Sequence, residues 1–258
     1  MRLKLFVCML CLVYPMYGQV VMNNYYNRGV YRSMDPRAEA MGKIQSVGEN
    51  KYFNILSNPA LDNSGKEISA YFSYSDDPYY SFLKASIRNF GVTYNIGTIG
   101  SFGASMESFN YGESEYLNFD ATEELYSFSY SNKIADILNF GITANLIVDN
   151  KFKSSSNATF FDIGLSKKFS IYEDEQLKHG LNAGLQIINV TSKKIQNDPP
   201  LPVGQFARIP FPSILRIGLE DVLTFYKNND KDYKYVTLKT AIEYEDLLNA
   251  KTLSTIKL

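Results

Sequence analysis

Apolar and polar residues alternate with a period of two along most of the chain from residue 66 onward. The clearest stretch is 140–148, where Phe140, Ile142 and Ala144 alternate with Gly141 and Thr143. Successive side chains of a β-strand point to opposite faces, so this pattern predicts strands with one apolar and one polar face. About ten segments carry the pattern, at positions 68–74, 83–87, 92–96, 102–106, 126–130, 140–148, 161–165, 181–187, 215–219 and 236–242.

Turn-forming clusters such as Asn197-Asp198-Pro199-Pro200 separate these segments, and no helical period lies between them. Parallel neighbours would need long crossovers, so we expect an antiparallel meander. The polar face is built mainly of Ser, Thr, Gly, Asn and Gln, which suits a wet barrel interior. Aromatic residues such as Tyr94 and Tyr130 stand near the strand ends, as in membrane barrels. The prediction is an all-β antiparallel transmembrane meander barrel. A soluble periplasmic β-sandwich, whose apolar faces pack together, is the other interpretation.

The N-terminal residues resemble a secretory signal peptide. Arg2 and Lys4 precede an apolar run too short to span a bilayer, and Gly18 precedes the expected cut. We therefore assign residues 1–18 to a signal peptide, 19–65 to a plug-like segment and 66–258 to the barrel. Both cysteines, Cys8 and Cys11, fall within the signal peptide, so we expect a mature chain without thiols.

The composition is compatible with an exported membrane protein, although its mean hydropathy resembles that of a soluble one. The net charge is -1 and the pI about 6.0, with no basic stripe, so we expect no nucleic-acid partner. The mean hydropathy of -0.20 is that of a soluble protein, yet the chain has 20 Tyr and 17 Phe. A barrel produces this combination because only one face of each strand meets lipid. The expected partner is therefore outer-membrane lipid and the expected location is the cell outer membrane.

Candidate chemistry is sparse. No nucleophile elbow, phosphate loop or dinucleotide fingerprint is present, and the single histidine, His179, is interpreted as a turn residue. We therefore expect no catalytic residues, no cofactor and no metal, and a protein that is not an enzyme.

Charged residues at the polar positions of the strands are the main candidates for the lumen. They either pair across neighbouring strands and hold the register, or form a constriction that selects solutes. These residues are Lys84, Arg88, Glu107, Asp149, Asp162, Arg216, Glu220, Lys239 and Glu243.

Two short motifs at the N-terminal end resemble a known signature. Arg37-Ala38-Glu39-Ala40-Met41-Gly42 is followed by Asn58-Pro59-Ala60. This order is similar to that of the PorV/PorQ-type outer-membrane proteins of type IX secretion in Bacteroidota and of the related long-chain fatty-acid transporters. Further matches to the PorV-like group are 161–165, 184–189 and 212–218. The resemblance runs from about residue 37 to the C-terminus.

The resemblance implies about fourteen strands, and the ten segments found here therefore suggest a C-terminally truncated relative, with a smaller closed barrel as the alternative. Two departures, Lys43-Ile44-Gln45 and Leu61-Asp62, argue against close packing of the N-terminal segment. Residues 37–61 have two interpretations, a plug in the lumen or a periplasmic extension that docks on a partner.

Three functions remain open at this point. The first is a non-enzymatic PorV/PorQ-like protein that assists type IX secretion or surface attachment of cargo through other secretion-system proteins. The second is a channel for a hydrophobic ligand or small solutes, as the fatty-acid transporters are. The third is the soluble β-sandwich.

Overall fold

A computed structural model describes most of the predicted sheet and three pieces of the N-terminal segment. The described residues are 44–47, 55, 57–61, 68–76, 85–110, 122–134, 137–151, 154–190, 213–227, 230–248 and 255–257. The predicted signal peptide lies outside these residues.

Ten strands form one antiparallel sheet in sequence order. The strands are β1 Ile68–Asp76, β2 Ser86–Asn95, β3 Ser101–Asn110, β4 Thr122–Ile134, β5 Leu138–Lys151, β6 Ser154–Glu173, β7 Leu177–Val190, β8 Ile214–Lys227, β9 Asp230–Leu247 and β10 Thr255–Lys257. A short 3₁₀ turn, Gly97–Ile99, joins β2 to β3. The prediction of an all-β antiparallel meander is confirmed. Within the described parts of the chain, no pairing joins β1 to β9 or β10, so the sheet as described is open.

The strand count of about ten agrees with the prediction for partly compensating reasons. Segments 83–87 and 92–96, predicted as two strands, belong to the single strand β2 and the residues directly before and after it, while β10 was not predicted. The apolar side chains change faces within this stretch: Ile87 is buried on one face with Ala85 and Phe109, whereas Phe90 lies on the other. A change of face along one strand therefore looked like a break between two.

The connections differ in length between the two ends of the strands. Residues 96–100, 135–137, 174–176 and 228–229 join strands at one end, none with more than five residues. The opposite end carries the longer connections 77–85, 111–121, 191–213 and 248–254, together with the short 152–153. We call these the short-turn end and the long-loop end of the sheet.

Burial on the two faces is opposite to that of a soluble sheet. The apolar face carries Phe72, Phe90 and Phe128, which are 69%, 52% and 65% exposed. The polar face carries Thr143 and Glu243, both 0% exposed. A sheet in a soluble sandwich buries its apolar face against a second sheet. Among the described residues there is one sheet only, and its apolar face is uncovered.

Candidate functional site

The described part of the N-terminal segment lies against the polar face of the sheet. Its residues 44–47, 55, 57, 58, 60 and 61 are all buried. The chain comes close because glycines occupy the facing positions of four consecutive strands. On β5 and β6 Gly141 pairs with Gly164, and on β7 and β8 Gly184 pairs with Gly218. We call these four residues the glycine seat.

A methyl group at any position of the glycine seat would overlap the N-terminal segment. At Gly141 it would meet the backbone of Pro59, and at Gly184 the backbone carbonyl of Ser46. Backbone atoms cannot rotate away as a flexible side chain can, so these two positions admit only glycine while the segment is docked. The seat therefore fits the segment by shape.

Asn58 connects the segment to the centre of the sheet. It is 0% exposed, and its Nδ2 donates to the carbonyl oxygens of Ser46 at 2.9 Å, Leu165 at 3.2 Å and Leu185 at 3.4 Å. Its Oδ1 accepts a hydrogen bond from the Ala60 backbone N–H at 3.0 Å. One side chain thus connects residues 57–61 of the segment to residues 44–47 and to strands β6 and β7. Loss of this amide would leave buried carbonyl groups without their donor.

Glu243 on β9 anchors the start of the described segment. Its Oε2 accepts hydrogen bonds from the backbone N–H groups of Gln45 at 2.9 Å and Ser46 at 2.6 Å. Arg216 on β8 donates through Nη1 to Gln45 Oε1 and through Nε to Glu245 Oε2 at 2.9 Å. Charge-assisted hydrogen bonds of this kind are stronger than neutral ones. The sheet therefore binds backbone donors of the segment with a buried carboxylate.

Two polar side chains of the sheet bind carbonyl groups further along the segment. Gln186 Nε2 donates to the Ser57 carbonyl oxygen at 2.8 Å, and Ser166 Oγ to the Ala60 carbonyl oxygen at 2.6 Å. Buried backbone carbonyls need such partners because no water reaches them. Strands β6 to β9 therefore all take part in holding the segment.

The predicted lumen residue Asp162 belongs to a network within the sheet. Its Oδ2 accepts a hydrogen bond from Asn145 Nδ2 at 2.7 Å, and its Oδ1 from the Asn189 backbone N–H at 2.9 Å. Asn145 Oδ1 in turn accepts from Ser127 Oγ at 2.6 Å. Asn189 has a φ of 59°, at the irregularity where β7 shifts register against β6. The carboxylate thus satisfies a backbone donor at this bulge and connects β4 to β7.

The other predicted lumen residues are distributed as follows. Glu107 and Glu220 are buried on the polar face, and Lys239 Nζ lies 3.8 Å from Glu220 Oε1. Asn182 Nδ2 also donates to Glu220 Oε2 at 2.7 Å. Asp149 lies in β5 opposite Glu123. The motif residues Arg37, Ala40, Met41 and Gly42, together with Lys84, lie outside the described residues.

Three predictions about individual residues are wrong. Arg88 was placed on the polar face, but it pairs with Tyr74 and is exposed on the apolar face, because Ile87 takes the inward position. Close packing of the N-terminal segment was doubted at Ile44, Gln45 and Leu61, yet these residues are 5%, 6% and 7% exposed. They pack closely because the sheet offers glycines and hydrogen-bonding side chains opposite them.

His179 is the third wrong assignment. It lies within β7, not in a turn, and its Nε2 is 2.6 Å from Asp221 Oδ1 on β8. In the parts of the chain that the structure describes, no group of three or more His, Cys, Asp or Glu could hold a metal ion. Nor does any helix within those parts have the length and apolar character needed to cross a membrane.

Sequence reasoning missed the glycine seat and the anchoring residues Gln186 and Ser166. The signal for the seat was present, because all four glycines occupy polar positions of consecutive strands, β5 to β8. Its meaning depended on the register that aligns them and on the segment that covers them.

No family model matches this chain, and a comparison with curated proteins finds no relative.

Proposed function

We propose that this protein is an outer-membrane β-barrel whose apolar face meets lipid and whose lumen holds the N-terminal segment as a plug. The observation that carries the proposal is the inverted burial of the sheet, with large apolar side chains exposed and Glu243, Glu220 and Thr143 fully buried. Closure of the sheet is part of the proposal, since open edges in lipid would leave backbone groups unsatisfied.

Lipid explains the exposed apolar face better than water does. Burying one side chain such as Phe or Leu away from water gains about 1.5–3 kcal/mol, so a continuous face left in water would forfeit many times that amount. In a bilayer the same face has favourable surroundings. The polar face needs the opposite environment, and the N-terminal segment supplies hydrogen-bonding groups to it.

The difference in connection length between the two ends of the strands also supports a membrane barrel. Outer-membrane barrels have short periplasmic turns and longer extracellular loops. On this basis the short-turn end lies in the periplasm and the long-loop end faces outward. The signal peptide predicted for residues 1–18 would deliver the chain to that location.

We further propose that the protein works through contacts with other proteins, assisting type IX secretion or surface attachment of cargo. The support is the motif resemblance around Asn58-Pro59-Ala60 and the close fit of the N-terminal segment on the glycine seat. A lumen filled by a tightly held segment favours a scaffold over an open pore. This function needs no catalytic group.

A channel for hydrophobic or small solutes is the second candidate, and a specific observation favours it. Asn89 is 1% exposed, and among the described residues neither its Nδ2 nor its Oδ1 has a hydrogen-bond partner. Buried polar groups without partners cost about 1–3 kcal/mol each. A lumen that fills with water when the plug moves would satisfy them.

The location is tested by membrane fractionation. The protein should remain in the membrane after carbonate extraction and should migrate differently in SDS gels before and after boiling, as a closed barrel does. Recovery in the carbonate-soluble fraction would refute the membrane proposal and select the β-sandwich.

The proposed role in secretion or surface attachment is tested in a deletion strain of the native host. Loss of surface-attached cargo that returns on complementation supports the scaffold function. Unchanged secretion and attachment, combined with solute uptake by liposomes that contain the purified protein, would favour the channel instead.

A further inference from the structure

Three charged or titratable residues interrupt the apolar face on β6 to β8. His179 and Asp221 form a pair with 2.6 Å between Nε2 and Oδ1, and their side chains are 30% and 45% exposed. Lys167 lies on the same face of β6, with Nζ 4.9 Å from the centre of the Phe169 ring. We call Lys167, His179 and Asp221 the polar island.

The polar island lies within the apolar face and not at its margin. On β8, Leu219 and Leu223 flank Asp221 on the same face, and Phe225 continues the apolar positions towards the short-turn end. On β7, His179 stands between Leu177 and Leu181. The apolar side chains on both sides show that Asp221 is not simply the last residue before the headgroup region.

Charge on a lipid-facing surface is unfavourable, and more so with depth in the bilayer. The histidine reduces this cost for Asp221 through one hydrogen bond, but nearly half of the aspartate side chain remains exposed. On a surface that met only lipid, such a pair would be unfavourable and would have no compensating contact. A protein surface with a complementary charge would give the carboxylate a second partner.

The chain itself carries a suitable complementary charge at a matching position. Lys167 pairs across the sheet with Ala183, and Asp221 with Leu181, two residues away on β7. Lys167 and Asp221 therefore lie on opposite sides of β7, separated by about two strand spacings, or roughly 10 Å. A two-fold axis that runs between two copies in front of β7, perpendicular to the line from Lys167 to Asp221, would bring Lys167 of one copy opposite Asp221 of the other, twice.

We propose that the β6–β8 part of the apolar face is a dimer interface with a second copy of this chain, held by two Lys167–Asp221 ion pairs across the axis. This inference rests on the proposed membrane barrel. Closed two-fold dimers are the commonest oligomers, and their interfaces are self-complementary as this one is. The small side chain of Ala183, one residue from the centre, lets the two β7 strands approach.

Disulfide trapping tests the position of the axis. In a background with Cys8→Ser and Cys11→Ser, Ala183→Cys should form a disulfide-linked dimer when native membranes are oxidised. Ala104→Cys is the matched control, because Ala104 lies on the apolar face of β3, where it pairs with Val92 and Phe128. It should give no dimer.

Charge reversal tests the ion pairs. Asp221→Lys or Lys167→Asp, each combined with Ala183→Cys, should lower the trapped dimer at least about tenfold, since close charge pairs at interfaces couple strongly. The double exchange Lys167→Asp/Asp221→Lys should restore it. The change in gel mobility on boiling shows whether each variant has folded.

The outcomes separate this inference from the function it rests on. A carbonate-resistant, folded protein that gives no dimer at Ala183→Cys, or gives it equally at Ala104→Cys, overturns the dimer and leaves the barrel standing. The same holds if charge reversal has no effect. Recovery of the protein in the soluble fraction overturns the membrane barrel and this interface with it.

Discussion

Replacing Gly184 by valine should release the N-terminal segment from the sheet. The new Cβ would overlap the backbone carbonyl of Ser46. The sheet cannot yield at this point because β7 is paired on both sides, with β6 and β8. The described part of the segment pairs with no strand of the sheet, so it should move away before β7 does.

The magnitude follows from the contacts that Ser46 makes. Its backbone N–H and that of Gln45 donate to Glu243, and hydrogen bonds to charged groups contribute about 1.5–3 kcal/mol each. Overpacking by added methyl groups costs about 1–3 kcal/mol in its own right. Relaxation of the site offsets part of these costs, so we expect the free energy of docking to become less favourable by about 2–4 kcal/mol. This corresponds to a roughly 30- to 1,000-fold larger detached fraction.

The assay measures access to the segment itself. Ser57→Cys places a thiol at a position that is 6% exposed when the segment is docked, in the background without Cys8 and Cys11. A water-soluble maleimide should label this thiol much faster when Gly184→Val is added. Gly180→Val is the matched control on the same strand and the same face, because a Cβ there meets nothing closer than the Phe169 carbonyl oxygen at 3.4 Å.

Equal labelling rates for the Gly184→Val and Gly180→Val variants would refute the reasoning. That result would mean that the segment does not rest on the glycine seat in the folded protein. Gly184→Ala should give an intermediate rate, because its Cβ already overlaps Ser46 but lacks the two further methyl groups of valine.

Three further predictions concern separate contacts. Asn58→Ala removes the donor to three carbonyl groups, and each lost hydrogen bond costs about 1 kcal/mol or more. The variant should therefore also speed labelling of Ser57→Cys by at least about tenfold. An unchanged labelling rate would contradict the anchoring role of Asn58. Phe128→Arg on the apolar face should lower the free energy of unfolding in lipid vesicles by about 2–4 kcal/mol, as measured by urea titration, and a change below about 0.5 kcal/mol would argue against lipid at this position. Arg216→Met breaks the ion pair with Glu245 and should cost about 3–5 kcal/mol in the same titration, while Arg216→Met/Glu245→Leu should recover much of the loss.

Much of the strand pattern could be predicted from the sequence, because side-chain alternation is a local property of each strand. The stretch 140–148 falls within β5 and 181–187 within β7, as predicted. The error at Arg88 has the same origin. Alternation separates two faces but does not say which face is covered, and an apolar residue at the end of a strand can belong to either.

The N-terminal segment shows the limit of local reasoning more clearly. The sequence singled out Asn58, Pro59 and Ala60 by resemblance, but their contacts involve residues more than 80 positions away, such as Gly141 and Gly164. Lys43-Ile44-Gln45 looked unsuitable for close packing because its partners, Glu243 and Arg216, could not be known. Docking of such a segment depends on shape and on donors presented by several strands together.

The sequence by itself determined an all-β chain with one apolar and one polar face per strand, because each residue's direction follows from its position along the strand. Only the tertiary structure decided which face is buried, how four glycines align beneath the N-terminal segment, and that His179 meets Asp221 across two strands. These properties depend on strand register, which is set by the whole sheet and by what packs on it.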